Sequence, residues 1–189
     1  MKRVAGRGER PKTSKPKWIL GAGLYTLSLE RVTDVDYAHF LPDYKGKCKQ
    51  VHGHASYDVG VKVWGYKDED KHWVVDFKEL KRVVKEVVGL MDHKVVVGIK
   101  GLEDKVSVRK RRGYWHIRYE ASGKKHYLVL PEDEVLVLRN LRATIEDITW
   151  FLCNEVLNRL PENVIRVELS MKEGVNNSCS CQCFRVVGS

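Results

Sequence analysis

From Tyr25 onward, apolar and polar residues alternate. Tyr25, Leu27 and Leu29 share one side, and this two-residue period predicts a strand over Tyr25–Val32. Val35–Phe40 is expected to carry it on to His39. Leu41–Gln50 holds Pro42, Gly46 and several lysines, so it reads as a loop bearing Cys48. Alternation returns over Val51–Gly65, where Tyr57, Val59, Val61 and Val63 interleave with Asp58, Gly60 and Lys62. That is a second strand, with His52 and His54 at its beginning. Lys67–Lys71 reads as a charged turn and Trp73–Val75 as a short strand end. The period then becomes helical: Phe77, Leu80, Val83, Val84, Val87, Val88 and Met91 recur at three and four, with Asp76 as N-cap and an end near Gly89. Val95–Arg139 is β-rich, with a hairpin of Tyr114–Glu120 and His126–Leu130 turning at Gly123. A second helix starts at Thr144 and buries Ile145, Ile148, Phe151, Leu152 and Val156, and Pro161–Asn163 ends it. Val164–Glu173 and Cys179–Val187 are the last predicted strands. The order strand, strand, helix, strands, helix, strand, strand implies an α+β fold, with both helices on one face of an antiparallel sheet.

Chemistry concentrates in Asp36–His54, which places His39, Cys48, His52 and His54 within nineteen residues. Residues two apart on a strand point the same way, so His52 and His54 can reach one metal ion, and His39 can join them from a neighbouring strand. Three imidazoles with an open fourth position is a catalytic zinc arrangement. Cys48 is a fourth ligand, a nucleophile or a base beside the metal. Asp92-His93 follows the first helix directly and is a further candidate pair. Cys153 reads as a core thiol. Cys179, Cys181 and Cys183 share one strand face; small buried thiols are favoured there over a second metal site.

Composition adds a net charge of +9. Residues 1–17 carry seven basic residues against Glu9 alone and are expected to form a disordered tail. Residues 18–189 are expected to form one domain, with the hairpin inserted near 106–131. The Arg109–Arg112 block is a second basic site. Nucleic acid is a conceivable partner of the tail, as is a phosphate-rich small substrate of the basic surface. No apolar run approaches the roughly 18–20 residues of a membrane span. The basic N-terminus lacks the apolar stretch of a secretory signal. Five cysteines so placed do not make a disulfide framework, and a reducing cytoplasm is expected.

The motifs, in order, resemble the 6-pyruvoyl-tetrahydropterin synthase and 6-carboxy-tetrahydropterin synthase (QueD) family over about Tyr25–Cys183. Asp36-Tyr37-Ala38-His39 is similar to F-x-A-A-H, and Cys48 to His54 to C-x3-H-G-H. Val74-Val75-Asp76-Phe77 with Leu80-Lys81 resembles the helix-entry motif, Met91-Asp92-His93 resembles L-D-H, Thr144-Ile145-Glu146 resembles P-T-x-E, and Glu173 resembles the glutamate of the late E-T. The three residues between Cys48 and His52 are similar to the carboxy branch, whose product leads to 7-deazaguanine tRNA bases. The chain departs from the pattern at Ala143, at Gly174 and in the long stretch between His93 and Thr144.

The resemblance implies a tunnelling fold whose subunits join sheets into a barrel, usually a hexamer of two trimers with active sites between subunits. It implies a lyase acting on 7,8-dihydroneopterin triphosphate. Zn2+ would be held by His39, His52 and His54. Cys48 would be the general base, in a setting made positive by Lys45, Lys47 and Lys49. Asp92 would orient His93, which shuttles a proton. Glu173, with Thr144 and Glu146, would bind the pterin. The carboxy branch yields 6-carboxy-5,6,7,8-tetrahydropterin, acetaldehyde and triphosphate. The alternatives are the pyruvoyl branch, which keeps the carbon–carbon bond, and RNA binding through the basic tail.

Overall fold

A computed structural model describes residues 23–185; the basic segment 1–17 and the end of the chain after Arg185 lie outside that range. Nine strands and two helices run in the order β1 (Tyr25–His39), β2 (His52–Gly65), α1 (Phe77–Val88), β3 (Lys94–Gly98), β4 (Val106–Arg111), β5 (Tyr114–Ala121), β6 (Lys124–Pro131), β7 (Val135–Leu138), α2 (Ile145–Arg159), β8 (Val164–Glu173) and β9 (Asn177–Phe184). Six strands form one sheet in the order β7-β3-β1-β2-β8-β9, and β4-β5-β6 form a second. The main sheet is mixed rather than wholly antiparallel. β1, β2, β8 and β9 pair antiparallel, but β3 joins β1, and β7 joins β3, in parallel. The connection through α1 returns β3 in the direction of β1, which a tight turn cannot do.

Both helices form where the apolar period and caps put them. The Asp76 carboxylate accepts from Lys78 N–H, and α1 buries Leu80, Val83, Val84, Val87 and Val88. The helix stops at Val88, and Met91 is buried just beyond it. The Thr144 hydroxyl accepts from Asp147 N–H at the start of α2. One core unites α1 and α2 with Val35, Tyr37, Val59, Val61, Val63, Val96, Val167 and Leu169, so both helices cover the same sheet face. Among the described residues no helix is long and apolar enough to cross a membrane.

Two expectations change. Val74 and Val75 are buried but Trp73–Val75 is not a strand; the Asn163 side chain donates to Val74 O at 2.8 Å, satisfying that carbonyl without a ladder. The expected hairpin is a three-stranded meander. Its turns, Arg112-Gly113 (φ 51°, 80°) and Ser122-Gly123 (φ 52°, 70°), each hold two residues at positive φ, the conformation that suits tight hairpins. The meander packs on the sheet face away from the helices. Its Ile117, Tyr119 and Ala121 form a second core with Phe40, Val97 and Val135. The Tyr119 ring stacks on Phe40 at 4.0 Å, and the Tyr119 hydroxyl bonds the backbone of Val51. The inserted sheet thus braces both ends of the loop that carries Cys48.

Candidate metal centre

β1 and β2 pair with His39 opposite His52 and Tyr37 opposite His54, so all four rings face one side. That side is the helix-covered one, and the reason is a β-bulge. Between Val35↔Ser56 and Thr33↔Val59, β2 spends three residues against two on β1, and Asp58 takes φ +61°. The extra residue shifts the phase, which puts His52 and His54 on the same face as Val59, Val61 and Val63. The Asp58 carboxylate accepts from Lys172 at 2.7 Å and pairs with Arg31, and Lys172, then burial against it, then Arg31 set its net downward pKa shift.

The three imidazoles converge. One ring nitrogen from each of His39, His52 and His54 lies within 4.8 Å of the others. Two tautomers follow from backbone partners. His39 Nδ1 meets Ala143 O at 2.5 Å and His52 Nδ1 meets Gln50 O at 2.8 Å. A carbonyl only accepts, so each Nδ1 carries the proton and each Nε2 keeps a lone pair. Those two lone pairs face each other at 3.1 Å. Among the described residues His54 Nε2 is buried without a well-formed hydrogen bond, its nearest acid being Glu173 at 3.4 Å. Burial, outweighing the Ala143 bond, holds His39 down at about 4, with His52 and His54 adding to the fall. Burial also lowers His54, against an upward pull from Glu173. Facing lone pairs on neutral rings repel, and a cation between them removes the repulsion. The donor set therefore fits a divalent transition metal such as zinc, with second-layer carbonyls fixing the rings.

Glu173, at the end of β8, brings Oε1 to 3.4 Å from His54 Nε2 and 3.8 Å from His39 Nε2. Gly174 follows it at φ +74°, a conformation that suits glycine better than the threonine of the motif. Ala143 serves the site through its carbonyl. Gly98 allows this placement, because a Cβ there would sit 2.2 Å from Ala143 N. Thr144 is used as the cap of α2 and Glu146 is exposed on its first turn. Cys48 is half-buried on a 3-10 turn, Lys47–Lys49, and lies outside the imidazole cluster. Its carbonyl accepts from Leu41 N–H at 2.8 Å, closing the loop at its base.

Asp92 and His93 pair with each other, Oδ1 to Nδ1 at 3.0 Å. Asp92 also accepts from Asp36 N–H, and His93 N–H donates to Asp36 O. His93 lines a cleft of ≈ 430 Å³ with Asp36, Tyr37, Ala38, Gly53, His54, Ala55, Lys94 and Val95. Asp36, Ala38, Gly53 and Ala55 alternate with Tyr37, His39, His52 and His54 along β1 and β2, so His93 meets the sheet from the side opposite the imidazoles, with Tyr37 and His54 bordering the cleft. Within one chain neither Asp92 nor His93 belongs to the cluster of three imidazoles.

Tyr37 was not singled out by sequence. Its ring lies 5.6 Å from that of His39 and 5.9 Å from that of His54. Its hydroxyl is buried without a partner. Burial, then the Glu173 charge, push its pKa upward, so it stays a donor. The backbone carbonyls of Gln50 and Ala143 were also unreadable, since any residue type supplies one. The cysteines of β9 sit beside α2. The Cys153 thiol donates toward Val167 O and Cys181 O, both at 3.4 Å, and contacts Cys183. Burial raises Cys153 and pushes Cys181 up to about 11, which suits packing thiols rather than thiolates.

Residues 28–183 match the family model described as 6-pyruvoyl tetrahydropterin synthase. A Methanocaldococcus jannaschii protein named putative 6-carboxy-5,6,7,8-tetrahydropterin synthase is 30% identical over 149 residues, covering 73% of this chain and 81% of that protein. A Haemophilus influenzae protein named 6-carboxy-5,6,7,8-tetrahydropterin synthase is 44% identical over 62 residues, 31% of this chain and 43% of that one. The structure of Plasmodium falciparum 6-pyruvoyl tetrahydropterin synthase shares the fold, with a TM-score of 0.68 at 23% identity over 86% of this chain and 99% of that one.

Proposed function

This chain belongs to the 6-pyruvoyl tetrahydropterin synthase family and is a pterin lyase of that family, and on this premise we propose that it converts 7,8-dihydroneopterin triphosphate and one water to 6-carboxy-5,6,7,8-tetrahydropterin, acetaldehyde and triphosphate. The observation that carries the metal part is the facing pair of Nε2 lone pairs on His39 and His52, 3.1 Å apart. The three-residue spacing from Cys48 to His52 and the names of the relatives support the carboxy branch.

His39, His52 and His54 would hold zinc, which supplies Lewis acidity to the hydroxyls of the substrate side chain. Cys48, on its half-buried turn, would take the carbon-bound proton. Asp92 accepts from His93 Nδ1–H and so leaves Nε2 free to take or give a proton. Because His93, paired with Asp92, joins Asp36, Ala38, Gly53 and Ala55 on the opposite face of its own sheet, the pair would act on the imidazole site of a neighbouring subunit. Glu173 would accept paired N–H groups from the pterin edge with Thr144 and Glu146 beside it. The Tyr37 hydroxyl, unpartnered beside Glu173, would donate to a substrate oxygen.

The test is a product assay. Zinc-loaded protein is incubated with 7,8-dihydroneopterin triphosphate, the pterin is identified by mass spectrometry, and acetaldehyde is measured. A carboxy-pterin with acetaldehyde, lost in Cys48→Ala, is expected. A pyruvoyl-pterin without acetaldehyde would overturn the branch while leaving the metal and Cys48 roles standing. No pterin product, and no change in Cys48→Ala, would overturn both.

A further inference from the structure

The meander β4-β5-β6 has a second face that the enzyme reading does not use. Along β5, Trp115, Ile117, Tyr119 and Ala121 point inward, while Tyr114, His116, Arg118 and Glu120 are exposed. Pairing across the strands brings partners onto the same outer face. Arg111 lies opposite Tyr114, Arg109 opposite His116, and Ser107 opposite Arg118. Arg118 in turn lies opposite Tyr127, and His116 opposite Val129. Cations and aromatic rings therefore alternate in rows about 6.8 Å apart. The Arg118 guanidinium sits 5.0 Å from the Tyr127 ring centroid, and Tyr127 is 60% exposed. A groove of ≈ 210 Å³ runs between them, lined by Ser107, Arg109, His116, Arg118, Tyr127 and Val129.

The arginines of this face carry no ion pair. Among the described residues no carboxylate pairs with Arg109, Arg111 or Arg118, whereas Lys110, on the inner side, is taken by Glu132. The acids Glu103, Asp104 and Glu120 line an adjoining groove with Arg118, Lys105 and Lys125, which leaves the Arg109–Arg111 end the more positive. A soluble surface needs arginines, but it does not need exposed tyrosines set between them. Arginine with an exposed ring is the combination that grips a phosphate and stacks on a base. A ring standing out of a sheet can stack only on a base that is unstacked from its own strand, so a duplex would not satisfy it.

We propose that the outer face of β4-β5-β6 binds single-stranded nucleic acid, with Arg109 and Arg118 on phosphates and Tyr127 stacked on a base. This inference is independent of the pterin chemistry, and neither stands or falls with the other.

Fluorescence anisotropy tests it on the full chain, using fluorescein-labelled RNA and DNA single strands of about twelve nucleotides and the matching duplex. Single strands are expected to bind with affinity that falls as salt rises. Arg109→Ala with Arg118→Ala should reduce the steepness of the log–log salt plot by about 1.4, or roughly 0.7 for each phosphate that the variant no longer neutralises. Tyr127→Ala should weaken binding roughly tenfold and leave that steepness unchanged. Both variants should keep the wild-type Tm and pterin turnover, because the side chains are exposed and outside the metal centre. Preference between the RNA and DNA strands names which polymer the face takes. The proposal is overturned if neither variant alters binding, because affinity would then reside in other basic residues. It is equally overturned if Tyr127→Ala is silent and duplex or heparin competes as well as a single strand; the face would then suit a generic polyanion or an acidic protein surface.

Discussion

His39 shows how a fold can hold a buried imidazole neutral with one lone pair turned toward its neighbours. It is 2% exposed, gives its Nδ1 proton to Ala143 O and turns Nε2 toward His52. Its pKa is held at about 4, against 6.5 for the free side chain, chiefly by burial. In the unfolded chain the ring takes up a proton as pH falls through 6.5; in the folded chain it does so only near 4. The fold therefore keeps its full stability above pH 6.5 and loses it as pH falls toward 4, by about 3 kcal/mol. Urea midpoints of metal-free protein at pH 7, 5.5 and 4.5 would read this slope, and His39→Phe should flatten it. An unchanged slope in His39→Phe would assign the acid sensitivity elsewhere. Tyr37 makes an opposite case. Its buried hydroxyl has no partner among the described residues, and an unmet buried donor costs about 1–3 kcal/mol. Tyr37→Phe is expected to hold or raise Tm while lowering kcat/KM for the pterin substrate. A drop in Tm together with unchanged turnover would mean that the hydroxyl serves the fold and not the substrate.

At the scale of elements, the bulge in β2 decides whether there is a site at all. Read as an uninterrupted strand, Val51–Gly65 would put His52 and His54 on the face opposite Val59, Val61 and Val63. The extra residue around Asp58 brings both sets onto one face. Deleting Asp58 would restore strict alternation and force a choice. Three valines exposed by 0–2%, each worth about 1.5–3 kcal/mol on burial, outweigh two imidazoles, so the valines should stay and the histidines turn over. The deletion variant is expected to fold, by circular dichroism, yet bind far less than one zinc per chain by a colorimetric chelator assay. Full zinc binding would show that the phase is set elsewhere. The same element marks the limit of what sequence alone discloses. Apolar periods and caps disclosed α1, α2 and most strands, and H-x-H with His39 disclosed the three imidazoles that converge. A positive-φ aspartate leaves no trace in a hydrophobic pattern, so the bulge was silent. The parallel placement of β3 and β7 was silent for a related reason. Val95–Gly98 and Val135–Leu138 are short apolar runs buried from both faces, and such runs carry no information about direction.

For the whole molecule, the decisive fact is that the imidazoles and His93 meet one sheet from different sides. The imidazoles face the helix-covered side, and His93, paired with Asp92, joins Asp36, Ala38, Gly53 and Ala55 on the other, in a cleft that Tyr37 and His54 also border. Among the described residues the sheet also ends in two unpaired edges, β7 and β9, which invite pairing with another chain. Both features are resolved if subunits join so that the Asp92–His93 pair of one chain meets the metal centre of another. Ring closure by edge pairing is a heterologous contact, and a closed ring leaves no edge exposed. A complementation experiment tests this directly. Cys48→Ala and His93→Ala should each be nearly inactive when expressed alone. Co-expressed and purified as mixed assemblies, they are expected to regain activity. Random mixing places an intact Cys48 against an intact His93 in about a quarter of sites, so about a quarter of wild-type turnover should return. If mixed assemblies form, as two tags on the two variants would show, and yet activity stays at the level of the single variants, then each site is built within one chain. Asp92 and His93 would in that case have to reach their own imidazoles by rearranging the β1–β3 edge, or else take no part in the chemistry.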